Sequence, residues 1–166
     1  MPRRFRYLLV RHEERPSSFL VGAKQAVGGG LAIATIGGLA GATELPLLLA
    51  PFGATSVILF SAPASPFAQP INVLVAYVLA TLTCLLFGAF LPPHWLVAAS
   101  GVAVVMLLMA LFRTTHPPAG AIPILLLGGT PPEMLLKTVP PGALCLVLVA
   151  ILYHALPPSP VQYPRR

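Results

Sequence analysis

Between Lys24 and Arg113 the chain carries one formally charged side chain, Glu44. Charged residues make up 8% of all 166 positions, against roughly 25% in soluble domains. A stretch so long and so bare suits lipid as its solvent. The expected class is an all-α integral membrane protein.

The net charge of +6 does not indicate a nucleic-acid partner. Eight of the ten Lys and Arg residues lie at the two ends: Arg3, Arg4, Arg6, Arg11, Arg15 and Lys24, then Arg165 and Arg166. Cytoplasmic loops are the ones enriched in Lys and Arg, so both termini are expected in the cytoplasm, with an even number of crossings. A bacterial inner membrane is the expected location. No cleavable leader is evident, because Glu13 and Glu14 separate the basic start from the first apolar run. Cys84 and Cys145 each sit inside an apolar run and read as buried packing residues.

Residues 1–24 read as a basic cytoplasmic or interfacial segment, residues 25–156 as one transmembrane domain and residues 157–166 as a proline-rich, mobile tail. Long spans are expected over 25–43, 71–91, 96–112 and 138–156. The first is rich in glycine, with Gly37 and Gly41 in a GxxxG step that suits close helix packing. Two shorter apolar pieces interrupt the series. One is Pro51-Phe52-Gly53-Ala54 and the residues up to Phe60; the other begins at Pro118-Ala119-Gly120-Ala121. Proline at a helix start is favoured, and the residue before a proline is pushed out of the helical region.

The order of elements repeats. Each half, about 25–91 and 94–156, has a long span, a charged residue (Glu44, then Arg113), a Pro-x-Gly-Ala piece, a proline-rich turn and a long span. Short segments broken by Gly and Pro at matching places in two halves point to a transporter's binding site. The pieces could turn back as re-entrant helices, giving four full spans. They could instead cross, giving six spans and an inverted three-plus-three repeat. Because a full crossing needs about 20 helical residues, four spans plus two re-entrant or broken helices is the expected arrangement.

Helix N-termini offer free N–H donors and partial positive charge, so two of them facing one cavity would suit an anion. Arg113 could add charge with forked donors. Thr55, Ser56, Gln69, Thr115 and His116 could line the path, and Gly53 and Gly120 could let a ligand approach the backbone. Glu44 could pair with Arg113 or carry a coupled proton. The plainer alternative puts Glu44 and Arg113 at the headgroup level, satisfied by water. His116 and the hydroxyls would then cap and pack. Enzyme signatures such as HExxH, Walker A or GxSxG are absent. No cofactor and no metal site is expected.

The run Thr115-His116-Pro117-Pro118-Ala119-Gly120-Ala121 resembles the HPP family of small integral membrane proteins. Ala50-Pro51-Phe52-Gly53-Ala54 and Ser65-Pro66-Phe67-Ala68-Gln69-Pro70-Ile71-Asn72 fit the same family pattern. The resemblance covers roughly residues 20–156. It implies four spans, and it implies nitrite transport to the extent that some plant plastid and cyanobacterial members are linked to that activity. The expected function is a transporter or channel for a small inorganic anion, nitrite being the first candidate, in a homo-oligomer because four spans seldom enclose a pore. The rivals are a non-transporting membrane subunit that docks a partner through its Gly-rich first span, and a membrane enzyme using His116 and Glu44.

Overall fold

A computed structural model of the protein describes residues 18–157 and 162–165. Every regular element among them is helical. The α-helices are α1 (Phe19–Thr43), α2 (Ala50–Ser61), α3 (Pro70–Phe90), α4 (Trp95–Leu111) and α5 (Pro132–His154); 3-10 helices cover Pro66–Ala68 and Pro117–Gly128. Three of these, α1, α3 and α5, are long and apolar enough to cross a membrane, with 25, 21 and 23 residues. The fourth expected span, α4, has 17.

Two boundaries differ from expectation, each for a local reason. α1 begins at Phe19 rather than Gln25, because the Ser18 hydroxyl accepts from the Val21 N–H at 3.4 Å and caps the helix. Lys24 therefore lies within the helix and sends its ammonium out to the Leu156 carbonyl at 3.1 Å. The expected interfacial segment before Ser18 lies outside the described residues. α5 begins at Pro132 rather than Thr138. Proline suits the first helical position, and Glu133 suits the positive helix start. The helix then continues through Pro140 and Pro141.

α3 packs most extensively on α5, and α1 and α2 lie together against α5. The core centres on Phe52, Phe60, Tyr77, Ile122, Leu135 and Leu146. Small residues set the close approaches. A Cβ at Gly142 would overlap the Phe52 ring, and one at Gly28 would overlap Phe60 and Tyr153.

The short segments do not turn back. α1 leaves from Ser18 and ends at Glu44, but α2 ends beside the start of α1, where the Gln25 amide donates to the Ser61 carbonyl at 3.4 Å. Leu48 lies beside Gly37 on the way. In the second half, Pro123 packs on Gly101, and Leu126 and Gly129 lie beside His94, Val97 and Ala98 at the start of α4. Each short segment thus runs antiparallel to the helix before it, from its last residue back to its first turns. The expected re-entrant arrangement is not confirmed: non-helical lead-in chain as well as helix carries each segment along its neighbour. The start of α1 and the end of α5 share one end of the bundle, where the Tyr153 hydroxyl donates to the Lys24 carbonyl at 2.8 Å.

Candidate functional site

The lead-ins share a backbone device. Glu44 and Arg113 have φ of 58° and 55°, the two positive values at non-glycine residues among those described. Left-handed backbone at a helix end stops the helix and turns the chain. Both side chains are exposed. Because the segments run in opposite directions, Glu44 and Arg113 lie at opposite ends of the bundle and cannot pair. That corrects the expected charge pair. The plainer expectation for both residues, exposure at a span end, fits their positions.

After Arg113 the chain re-enters the bundle. The Thr114 N–H donates to the Met109 carbonyl at 2.9 Å. His116 precedes two prolines and is extended, with φ −137° and ψ 99°, so its ring leaves the chain just before the 3-10 helix starts. The ring is fully buried. Its Nδ1 lies 2.7 Å from the Phe67 carbonyl, and since a carbonyl only accepts, Nδ1 carries the proton. Its Nε2 lies 2.8 Å from Thr55 Oγ1, one turn into α2. Thr55 Oγ1 in turn lies 2.6 Å from the Tyr77 hydroxyl of α3. Tyr77 also reaches the Pro51 carbonyl at 3.1 Å. The Tyr77 ring packs on His116 at 5.4 Å and takes the Phe52 ring edge-on at 5.5 Å.

Both broken segments therefore meet at one polar centre, which joins α2, α3 and the His116 lead-in to the 61–70 loop. Thr55, Tyr77 and His116 are each 0% exposed, and side chains fill the space among them. Their sequence neighbours face outward grooves. Ser56 and Gly53 line one of about 540 Å³ between α1 and α2, with Gly29 and Gly30. Thr115 and Gly120 line another of about 520 Å³ between α4 and the 117–128 helix, with Met106 and Ile124. The Ser56 hydroxyl donates to the Gly29 carbonyl at 3.1 Å.

Gln69 has a structural post. Its amide donates to the Pro63 and Ser65 carbonyls, each at 3.0 Å, and its oxygen accepts from the Arg165 N–H at 2.8 Å. The Tyr163 hydroxyl donates to the Ala68 carbonyl at 2.8 Å, and burial raises its pKa. Residues 162–165 are thus docked on the loop that holds His116, contrary to the expected mobile tail. Tyr163 covers His154, whose Nε2 donates to the Leu59 carbonyl at 2.9 Å while its Nδ1 stays buried without a partner. The Thr114 hydroxyl is likewise buried and unpartnered.

Of the anticipated residues, Thr55 and His116 come together at the centre. Ser56, Gly53, Thr115 and Gly120 flank it, while Gln69, Glu44 and Arg113 sit apart. Sequence reasoning missed Tyr77 and the Phe67 carbonyl. A lone tyrosine in the aliphatic 70–90 run was the available signal, since a phenol in lipid needs a partner.

A bundle of apolar helices with broken segments meeting at a buried polar centre defines a polytopic helical membrane protein. The model of the HPP transmembrane region matches residues 15–164, and the chain belongs to the HPP family. No curated protein and no solved structure matches it.

Proposed function

We propose that the protein is a secondary transporter for a small inorganic anion, with nitrite as the first candidate. One observation carries this reading: the contact between His116 and Thr55, which ties two broken segments of opposite direction at a single polar centre. Transporter folds built from inverted repeats place their substrate sites at such junctions. In this reading the chain crosses six times as an inverted three-plus-three repeat, with both termini on the cytoplasmic face of a bacterial inner membrane. The 2.8 Å contact from Tyr153 to Lys24 supports termini on one face. The filled centre is then a closed state that must part to admit the anion, and Arg113 acts at one mouth rather than on the bound anion. Gly30, Gly38 and Gly41 face open space on α1, which supports a homo-oligomer packed through that helix.

The test is uptake of labelled nitrite into proteoliposomes by wild type, Arg113→Ala and His116→Ala. Uptake above protein-free vesicles, lowered in Arg113→Ala and lost in His116→Ala, supports the reading. Equal uptake in wild type and Arg113→Ala removes Arg113 from it. No uptake of any small anion by wild type removes transport itself.

The filled centre also favours a second reading, a non-transporting membrane subunit whose polar cluster serves to lock the fold. A second protein at fixed stoichiometry after purification in mild detergent, with no anion uptake, would establish that one.

A further inference from the structure

The polar centre is a chain of hydrogen bonds ended at both sides by groups that only accept. It runs from the Phe67 carbonyl through His116, Thr55 and Tyr77 to the Pro51 carbonyl, with links of 2.7, 2.8, 2.6 and 3.1 Å. The three side chains hold one donatable proton each when His116 is neutral. Four links therefore share three protons. One additional proton on His116 completes the chain: Nε2 then donates to Thr55, Thr55 to Tyr77 and Tyr77 to Pro51.

The groups facing the ring are few. Among the described residues they are the Thr55 hydroxyl from α2, the Tyr77 ring from α3 and the Phe67 carbonyl from the 61–70 loop, with the Met109 sulfur of α4 accepting from the His116 backbone N–H at 3.5 Å. Glu44, Arg113, Glu133, Lys137 and Arg165 are all exposed, and Lys24 reaches the Leu156 carbonyl at the end of the bundle. Among the described residues, therefore, no fixed charge neutralises an imidazolium at this centre, and no fixed positive charge awaits an anion there. A lone charge in a water-excluded site is costly, while a charge paired with its opposite is far less so.

We propose that His116 binds the coupling proton and that, when the packed centre opens toward one face, the proton and the anion bind there together, one to one. The inference rests on the transport reading above and adds its coupling. The proton comes from water on the loading side, adds to the Nε2 lone pair as the anion arrives, and leaves with it on the other side. No covalent bond to the anion forms. The loaded centre is electrically neutral, so transport moves no net charge.

The experiment uses proteoliposomes holding the full chain, with passage of nitrous acid through protein-free vesicles subtracted. Nitrite uptake is measured under a pH gradient at zero potential, and under a potassium–valinomycin potential at equal pH. One-to-one coupling drives about tenfold accumulation per pH unit and makes uptake indifferent to the potential. His116→Gln keeps a donor for Phe67 and an acceptor for Thr55 but cannot take the proton; its residual uptake is expected to lose the response to the pH gradient. Wild-type uptake that follows the potential and ignores the pH gradient overturns the coupling and leaves anion transport standing. Equal pH response in wild type and His116→Gln moves the proton to another group and overturns the assignment. Absence of protein-dependent uptake in wild type overturns the transport reading, and the coupling falls with it.

Discussion

The two broken segments reach the same centre by different construction. The first, from Glu44 to Ser61, has six non-helical residues and then an α-helix of 12. The second, from Arg113 to Gly128, has four non-helical residues and then a 3-10 helix of 12. Extended chain advances about 3.3 Å per residue, an α-helix 1.5 Å and a 3-10 helix about 2.0 Å. The first can reach at most about 38 Å and the second about 37 Å. The longer rise of the 3-10 helix makes up for the shorter lead-in. Either exceeds the roughly 30 Å of a hydrocarbon core. Helix length alone therefore understates what a broken segment spans.

The test with the largest effect is all or none. With Cys84 and Cys145 replaced by Ala, single cysteines at Glu44, Ser61, Arg113 and Gly128 report which face each position reaches. All four positions are exposed. A membrane-impermeant thiol reagent is expected to label Glu44 and Gly128 from one face, and Ser61 and Arg113 from the other. Labelling of Glu44 and Ser61 from the same face would restore the re-entrant arrangement and remove the comparison.

Next come the glycines that each segment leans on. Gly142 receives the Phe52 ring of the first segment, and Gly101 receives Pro123 of the second. Overpacking a fitted core costs about 1–3 kcal/mol. Gly142→Ala is expected at the upper end of that range and Gly101→Ala lower, because an added Cβ would come closer to Phe52 at the first than to Pro123, at 2.8 Å, at the second. Thermal unfolding in detergent measures both. Adding Phe52→Leu should recover Gly142→Ala and leave Gly101→Ala unchanged. Recovery of both would mean the two segments share one packing site.

What the sequence disclosed follows from where its signals were local. The dearth of charge between Lys24 and Arg113 was enough for the membrane class and the helical chemistry. Pro51 and Pro118 marked the broken segments, and His116 and Thr55 stood out within them. Direction was hidden, because a proline start reads the same whether the chain turns back or runs on. Arg113 drew attention as a charge in apolar chain, yet its positive φ, a property of the fold, carries it outward. Tyr77 and the Phe67 carbonyl were hidden for a further reason. Their partnership spans distant parts of the chain, and a carbonyl has no letter of its own.

The hydroxyls come third. Thr55 is fully buried between His116 and Tyr77, whereas Thr115 is half-buried on a groove. Thr55→Val leaves the His116 Nε2 without a donor, so it is expected to cost about 1–3 kcal/mol. Thr115→Val should stay within about 0.5 kcal/mol. Equal losses would place Thr115 in a bonded centre of its own and make the two segments alike in chemistry as well as position.

No loss of stability is expected at Gly53 and Gly120, which makes them the sharpest probes of function. Both lie in helical segments, and a Cβ at either would meet nothing within 4 Å. Alanine loses less conformational freedom than glycine on folding, so Gly53→Ala and Gly120→Ala should leave stability unchanged or raise it by up to about 1 kcal/mol. Packing therefore gives no reason for glycine at either position. A ligand that must approach the backbone does, because an added methyl blocks it without disturbing any neighbour. Gly53 and Gly120 line different grooves, on either segment. If anions pass along both grooves, both variants lose nitrite uptake while unfolding at or above the wild-type temperature. Loss in one variant alone assigns the path to that segment. Retention in both assigns the grooves to lipid and confines the anion to the His116 centre.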